Sequence, residues 1–296
     1  MDPLVWRKLR ARRIWERILI ERLTEPLHLN LVALGVAALG GLRAKVAFDL
    51  VVRHHTAFGL LTAADRAGAL GNRAMTALEF GVGEGAGLVN MAQIARRVSR
   101  ETGMAIDVVG FDTGAGMPQP RDHRDHPEYY TEGDFRMAPE ALRGRLPAST
   151  ELILGEIGTT LPAFQERLSC ERPVGYVAVD LDYYWSTVEC LRLFADEEPR
   201  KFLPITVVYL DDVALEGHNP FAGELLAVAE FNRDHELRKI APMRFLQSER
   251  VFKHAEWLGH MYALHVLDHP SRTVGSARRR AAESLGNPYL DGGSGP

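Results

Sequence analysis

The segment Glu79-Phe-Gly81-Val-Gly83-Glu-Gly85-Ala-Gly87 has the composition of a backbone turn built around a ligand. Glycines let the chain turn tightly and let a ligand come close to the backbone. A helix starting just after them offers unpaired N–H groups. The pattern Gly81-x-Gly83-x-x-Ala86 also fits a dinucleotide fingerprint, so the glycines alone specify only a nucleotide-like ligand. A second apolar run, Ile106–Phe111, ends in Asp112. An acid at that place can accept hydrogen bonds from both hydroxyls of a ribose. It lies farther from the turn than the spacing of about 20 residues in the dinucleotide fingerprint.

Carboxylates gather further along. Asp180-Leu-Asp182-Tyr-Tyr-Trp-Ser186-Thr187 follows a fourth apolar run and Asp211-Asp212 a fifth. In an open α/β sheet both strand ends face the crevice that receives the ligand. So many carboxylates brought together repel one another unless a cation joins them, and all-oxygen ligands suit Mg²⁺. Helix capping is the plainer role, but it accounts for one acid of each pair and not for both. His218, shortly after Asp212, is a general-base candidate or a solvated loop histidine. Arg121-Asp-His-Arg-Asp-His126 reads as a solvated loop, with a substrate-facing lid as its functional alternative.

The elements that must position these residues follow from the hydrophobic pattern. Short apolar runs at Ala77–Gly81, Ile106–Phe111, Glu151–Leu154, Val174–Val179 and Ile205–Leu210 alternate with helical stretches at Leu88–Thr102, Leu161–Leu168, Thr187–Phe194 and Gly223–Asn232. Runs near Arg244–Val251 and His260–Val266 are expected to close the sheet as an antiparallel pair. The expected fold is therefore α/β: a doubly wound, mostly parallel, Rossmann-like sheet of seven strands with an N-terminal helical extension. The divisions are 1–73 for the extension, 74–270 for the catalytic domain and 271–296 for a frayed tail.

Within the extension, Val46 to Leu61 reads as one helix. Before it, Trp6, Leu9, Ile14, Ile18, Ile20 and Leu23 recur among basic residues up to Pro26. Such a segment covers the main domain or packs in a homo-oligomer, the readings its pattern favours, or lies on an anionic membrane surface. The apolar run Leu31–Leu42 is shorter than the roughly 20 residues that span a bilayer. No cleavable signal is apparent, so a cytoplasmic location is expected. A net charge of −4 gives no reason to expect nucleic acid as a partner. The two cysteines, Cys170 and Cys190, have no metal-ligand spacing and read as buried apolar residues.

With Glu79 leading it, the glycine turn resembles the first motif of class I S-adenosylmethionine-dependent methyltransferases, in which the acid helps organise the methionine end of the cofactor. Phe111-Asp-Thr-Gly-Ala-Gly-Met-Pro118, Asp180–Thr187 and Asp211-Asp212 resemble, in the same order, the macrocin-type metal-dependent O-methyltransferases. Arg53–Leu61 and Gly133-Asp-Phe135 look closer to an uncharacterised bacterial branch of these enzymes. The resemblance implies S-adenosylmethionine bound by Glu79, Gly81, Gly83, Gly85 and Asp112, and Mg²⁺ held by Asp180, Asp211 and Asp212. It also implies a small-molecule hydroxyl acceptor of sugar or phenolic type. Asp182 is the candidate general base, Asp180 an acid that could combine both roles, and His218 the alternative. A nicotinamide-dependent oxidoreductase would use the glycines and Asp112 but leave the later acids without a task. A methyltransferase fold without activity would lack these ligands.

Overall fold

The computed structural model describes residues 23–214 and 217–272. The basic segment before Leu23 and the tail after Arg272 lie outside them. Among the described residues three helices precede the sheet, α1 (Leu27–Leu39), α2 (Leu42–Ala47) and α3 (His54–Ala69). Then follow β1 (Ala74–Phe80), α4 (Ala86–Thr102), β2 (Ala105–Asp112), α5 (Pro139–Arg143), β3 (Thr150–Leu154) and α6 (Ile157–Arg167). The chain continues through β4 (Val174–Val179), α7 (Tyr184–Leu191), β5 (Phe202–Leu210), α8 (Gly223–Asp234), β6 (Arg238–Pro242), α9 (Leu246–Glu249) and β7 (Met261–Val266).

The seven strands form one sheet in the order β3-β2-β1-β4-β5-β7-β6, parallel except for β7, which is antiparallel to both of its neighbours. It is the doubly wound, Rossmann-like sheet expected from the strand–helix alternation. β1 and β4 are buried along nearly their whole length, as central parallel strands covered on both faces must be. One face carries α3 and α4, with Leu60, Leu88, Met91 and Val98 against Met75 and Tyr176. The other carries α6, α7 and α8, with Phe164, Leu191, Val228 and Phe231 against Val177 and Val208. In α4 the buried residues Leu88, Met91, Ala95 and Val98 recur at helical spacing, and Gly103 in the left-handed region ends the helix. α1 contrasts with these helices: Leu27, Leu31, Leu34 and Leu39 are exposed and only Ala33 is buried. No described helix is long and apolar enough to cross a membrane.

Register matters most for function. Phe80 pairs with Phe111 and Val179, and Val179 with Leu210, so four parallel strands end level with one another. Gly81, Asp112, Asp180 and Asp211 therefore emerge on one edge of the sheet. Backbone bonds continue the ladder one residue further, from Asp180 N–H to the Phe80 carbonyl at 2.9 Å and from Asp211 N–H to Val179 at 3.0 Å.

Two expected elements differ. Val46–Leu61 is not one helix: the chain breaks between α2 and α3, where Asp49 and Arg53 adopt left-handed conformations. Tertiary partners compensate, since the Asp49 carboxylate accepts from Arg250 at 2.6 Å and from the Trp257 indole at 3.4 Å. The penultimate strand lies at Arg238–Pro242 rather than near Arg244–Val251, which forms a turn and α9. Its polar start hid it. Arg238 is buried because Asp268 and the Asp196 carbonyl accept its guanidinium, while Ile240 pairs with Leu264 in the core.

Candidate active site

The turn after β1 needs its glycines. Gly81, Gly83 and Gly85 all have positive φ, and a Cβ on Gly81 would overlap the Asp180 carbonyl oxygen. A side chain on Gly87 would strike Glu79, whose carboxylate sits beneath the first turn of α4. Glu79 is only 5% exposed, and its Oε2 has no hydrogen-bond partner among the described residues. Burial raises its pKa to about 8; nearby Arg53 opposes the rise and Asp112 adds to it. A buried acceptor without a donor is costly, and a cationic or N–H-bearing ligand would complete it.

Asp112 is already engaged. Its Oδ2 accepts from the Val82 and Gly83 N–H groups at 2.9 and 2.8 Å, and Oδ1 from Gly114 N–H at 2.6 Å. The side chain thus braces the glycine turn as well as facing the cavity. A carboxylate has about four lone-pair sites, so acceptor capacity remains for a ribose hydroxyl.

The acids after β4 and β5 converge. Ligand oxygens of Asp180, Asp182 and Asp212 all lie within 4.8 Å of one another. Asp182 reaches this position through a left-handed backbone with φ 58°, and its N–H donates to Asp212 Oδ2 at 3.1 Å. Asp211 lines the same cavity, but one of its oxygens accepts the Tyr209 hydroxyl and it stands outside that group of three. Glu224, fully buried in the first turn of α8, ties the two loops together: its oxygens accept from Leu181 N–H at 3.5 Å and Asp212 N–H at 3.1 Å.

His218 is placed differently. Its ring stacks on His126 with centroids 5.2 Å apart, it packs near Tyr129, and it does not line the cavity. Burial lowers its pKa. The segment 121–126 is solvated at Arg121 and His123 but packed at Asp125 and His126. Asp125 is fully buried and accepts from Arg121 N–H at 2.8 Å and Trp185 N–H at 3.1 Å, which fastens the loop to the start of α7.

The glycine turn and the acid-bearing strand ends meet in one cavity of about 970 Å³. Its lining includes the glycine turn, Glu79, Asp112 and the four aspartates, with Tyr130, Phe135, Tyr183 and Trp185 supplying aromatic walls. Sequence reasoning missed Glu224, Asp125 and Arg53. Glu224 was detectable, because it shares the stripe of Ala227, Val228 and Phe231, where a carboxylate is out of place. Asp125 and Arg53 carry no such local mark.

The residues present suit a hard divalent cation. Burial and then mutual repulsion raise the pKa of Asp180 and of Asp212, the latter to about 8, and burial raises that of Asp182 against a hydrogen bond with Tyr130, so together they would hold protons where a cation could stand. This predicts a linked pH and metal effect. A raised native pKa means that the folded state retains protons which the unfolded state has released, so stability falls as pH rises toward the native value. Without divalent cations, the melting temperature is expected to drop between pH 7 and 8.5, a window above the ordinary range of histidine titration. Added Mg²⁺ should restore more of it at pH 8.5 than at 7, because the ion competes with protons for the same oxygens. A melting temperature indifferent to both pH and Mg²⁺ would rule this out.

Fold and site together define an α/β protein with a glycine turn and a carboxylate cluster on one cavity. No protein-family model and no curated protein matches the chain. Among solved structures, it is similar to CalS11, described as a calicheamicin methyltransferase, with 18% identity and a TM-score of 0.47 over 74% of this chain and 89% of that one. A structure of the O-methyltransferase NovP matches at 16% identity and a TM-score of 0.46, covering 61% and 72% of the two chains. An apo structure of CalS11, described as a TDP-rhamnose 3'-O-methyltransferase, matches at 20% identity and a TM-score of 0.39, covering 62% and 75%.

Proposed function

We propose that the protein is an S-adenosylmethionine-dependent O-methyltransferase that methylates a hydroxyl of a small molecule, sugar or phenolic in type, with the assistance of Mg²⁺. The observation that carries this reading is that the glycine turn with Glu79 and the convergent aspartates open into a single cavity of about 970 Å³. That is within the size range of small-molecule sites and allows a donor and an acceptor to lie side by side.

S-adenosylmethionine supplies an electrophilic methyl group for an in-line displacement, a reaction that depends on alignment more than on covalent help. Mg²⁺ held by Asp180, Asp211 and Asp212 would supply a Lewis acid that lowers the hydroxyl's pKa. The chain's own residues do the rest. The turn from Gly81 to Gly87 brings backbone N–H groups and the start of α4 to the donor, Glu79 faces its amino-acid end and Asp112 its ribose. Asp182 takes the hydroxyl proton as general base. Its place in the cavity favours it over His218, which is held against His126 instead. The aromatic walls of Tyr130, Tyr183 and Trp185 suit a ring-shaped acceptor and exclude water from the transfer.

A nicotinamide oxidoreductase would leave the aspartates unused. Calorimetric titration with S-adenosylhomocysteine and with NAD separates the two. Binding of the former alone is expected, and heat from NAD alone would defeat the methyltransferase reading.

A further inference from the structure

We infer that Arg53 is the binding residue for the carboxylate of the donor's amino-acid end, paired across the site with Glu79, which receives the ammonium; this rests on the donor reading above. Arg53 precedes α3 and holds a left-handed conformation, φ 55° and ψ 72°. The sequence brings it to the cavity from the N-terminal extension, far from the glycine turn. It nevertheless lines the same cavity as Glu79, and its charge acts on that carboxylate. No hydrogen bond or ion pair engages its guanidinium among the described residues.

Glu79 is the second, independent mark. Its carboxylate is 5% exposed with Oε2 unpartnered, in contact with the very turn that would hold the donor. Among the described residues the buried acceptor and the cation form no ion pair although both line the cavity, an arrangement that suits a ligand group carrying both charges. The α-ammonium and α-carboxylate of an amino acid have that pattern. A guanidinium matches a carboxylate with two parallel hydrogen bonds, which a lysine cannot reproduce.

The test compares S-adenosylmethionine with its decarboxylated form, which keeps the ammonium and lacks only the carboxylate. Full-length wild-type chain, Arg53→Asn and Arg53→Lys are titrated calorimetrically with each; asparagine tolerates the left-handed backbone. The wild type is expected to prefer the carboxylated nucleoside by about 10- to 100-fold, the range for a charged hydrogen-bonded contact. Arg53→Asn should abolish that preference while binding the decarboxylated form within about twofold of wild type, and Arg53→Lys should recover part of it. Equal loss for both nucleosides, or a preference that survives in Arg53→Asn, would overturn the inference while leaving the donor reading intact. Failure of the wild type to bind either nucleoside would overturn the donor reading, and this inference with it.

Discussion

Asp212→Asn is expected to lower Mg²⁺-dependent turnover by at least about 100-fold while S-adenosylhomocysteine still binds with near wild-type affinity. Asparagine keeps the shape of the side chain and an oxygen able to accept the Asp182 N–H, so the loop should hold its conformation. What disappears is one of three carboxyl groups whose ligand oxygens lie within 4.8 Å of each other. The same loss relieves repulsion in the metal-free protein. The variant is therefore expected to melt higher than wild type without Mg²⁺ and to gain less when Mg²⁺ is added. Steady-state methyl transfer across a Mg²⁺ titration, with parallel thermal melts, reads both effects. Undiminished turnover would remove the metal from the mechanism. A companion, Asp211→Asn, distinguishes the ligand sets. An equal loss supports the set of Asp180, Asp211 and Asp212. A smaller loss supports the group of Asp180, Asp182 and Asp212, in which Asp211 serves through its bond from Tyr209.

The second large effect concerns the backbone. Gly81→Ala is expected to destabilise the fold by roughly 3–5 kcal/mol and to weaken S-adenosylhomocysteine binding by more than about 100-fold. The left-handed φ of 83° alone costs about 1–2 kcal/mol for a residue with a Cβ. The larger part comes from the Asp180 carbonyl oxygen, which occupies the space the methyl group would need. That oxygen belongs to backbone held by the Asp180 N–H bond to Phe80, so relief requires the ends of β1 and β4 to separate. Gly103→Ala is the control. It has a similar φ of 74° but open space around it, so only the conformational cost of about 1–2 kcal/mol is expected. Urea unfolding of both variants gives the comparison. Equal costs would show that the contact with β4 is not what requires glycine at position 81.

Much of the architecture is legible in the sequence. The apolar runs ending at Phe80, Phe111, Val179 and Leu210 carry strand signals, and the buried stripe of α4 carries a helical one. Both depend on residues close together in the chain. Where a long-range partner overrode the local pattern, the reading failed. Arg238 opens a strand because Asp268 and Asp196 accept its charge, and the helix expected over Val46–Leu61 breaks where Asp49 turns toward Arg250 and Trp257.

The candidate site divides in the same way. By itself the sequence determined that a glycine turn, Asp112 and two pairs of acids stand at the ends of successive strands, because strand ends and turn residues are local properties. Only the tertiary structure decided which carboxylates meet. Asp182 enters the group through a left-handed backbone, and Glu224, 43 residues from Leu181, holds both acid-bearing loops in place. It also decided that Asp112 braces the turn, that His218 packs on His126 without lining the cavity, and that Arg53 lines the cavity from the segment before α3. Convergence of charged groups is set by packing and hydrogen bonds between distant segments, and no short stretch of sequence carries that information.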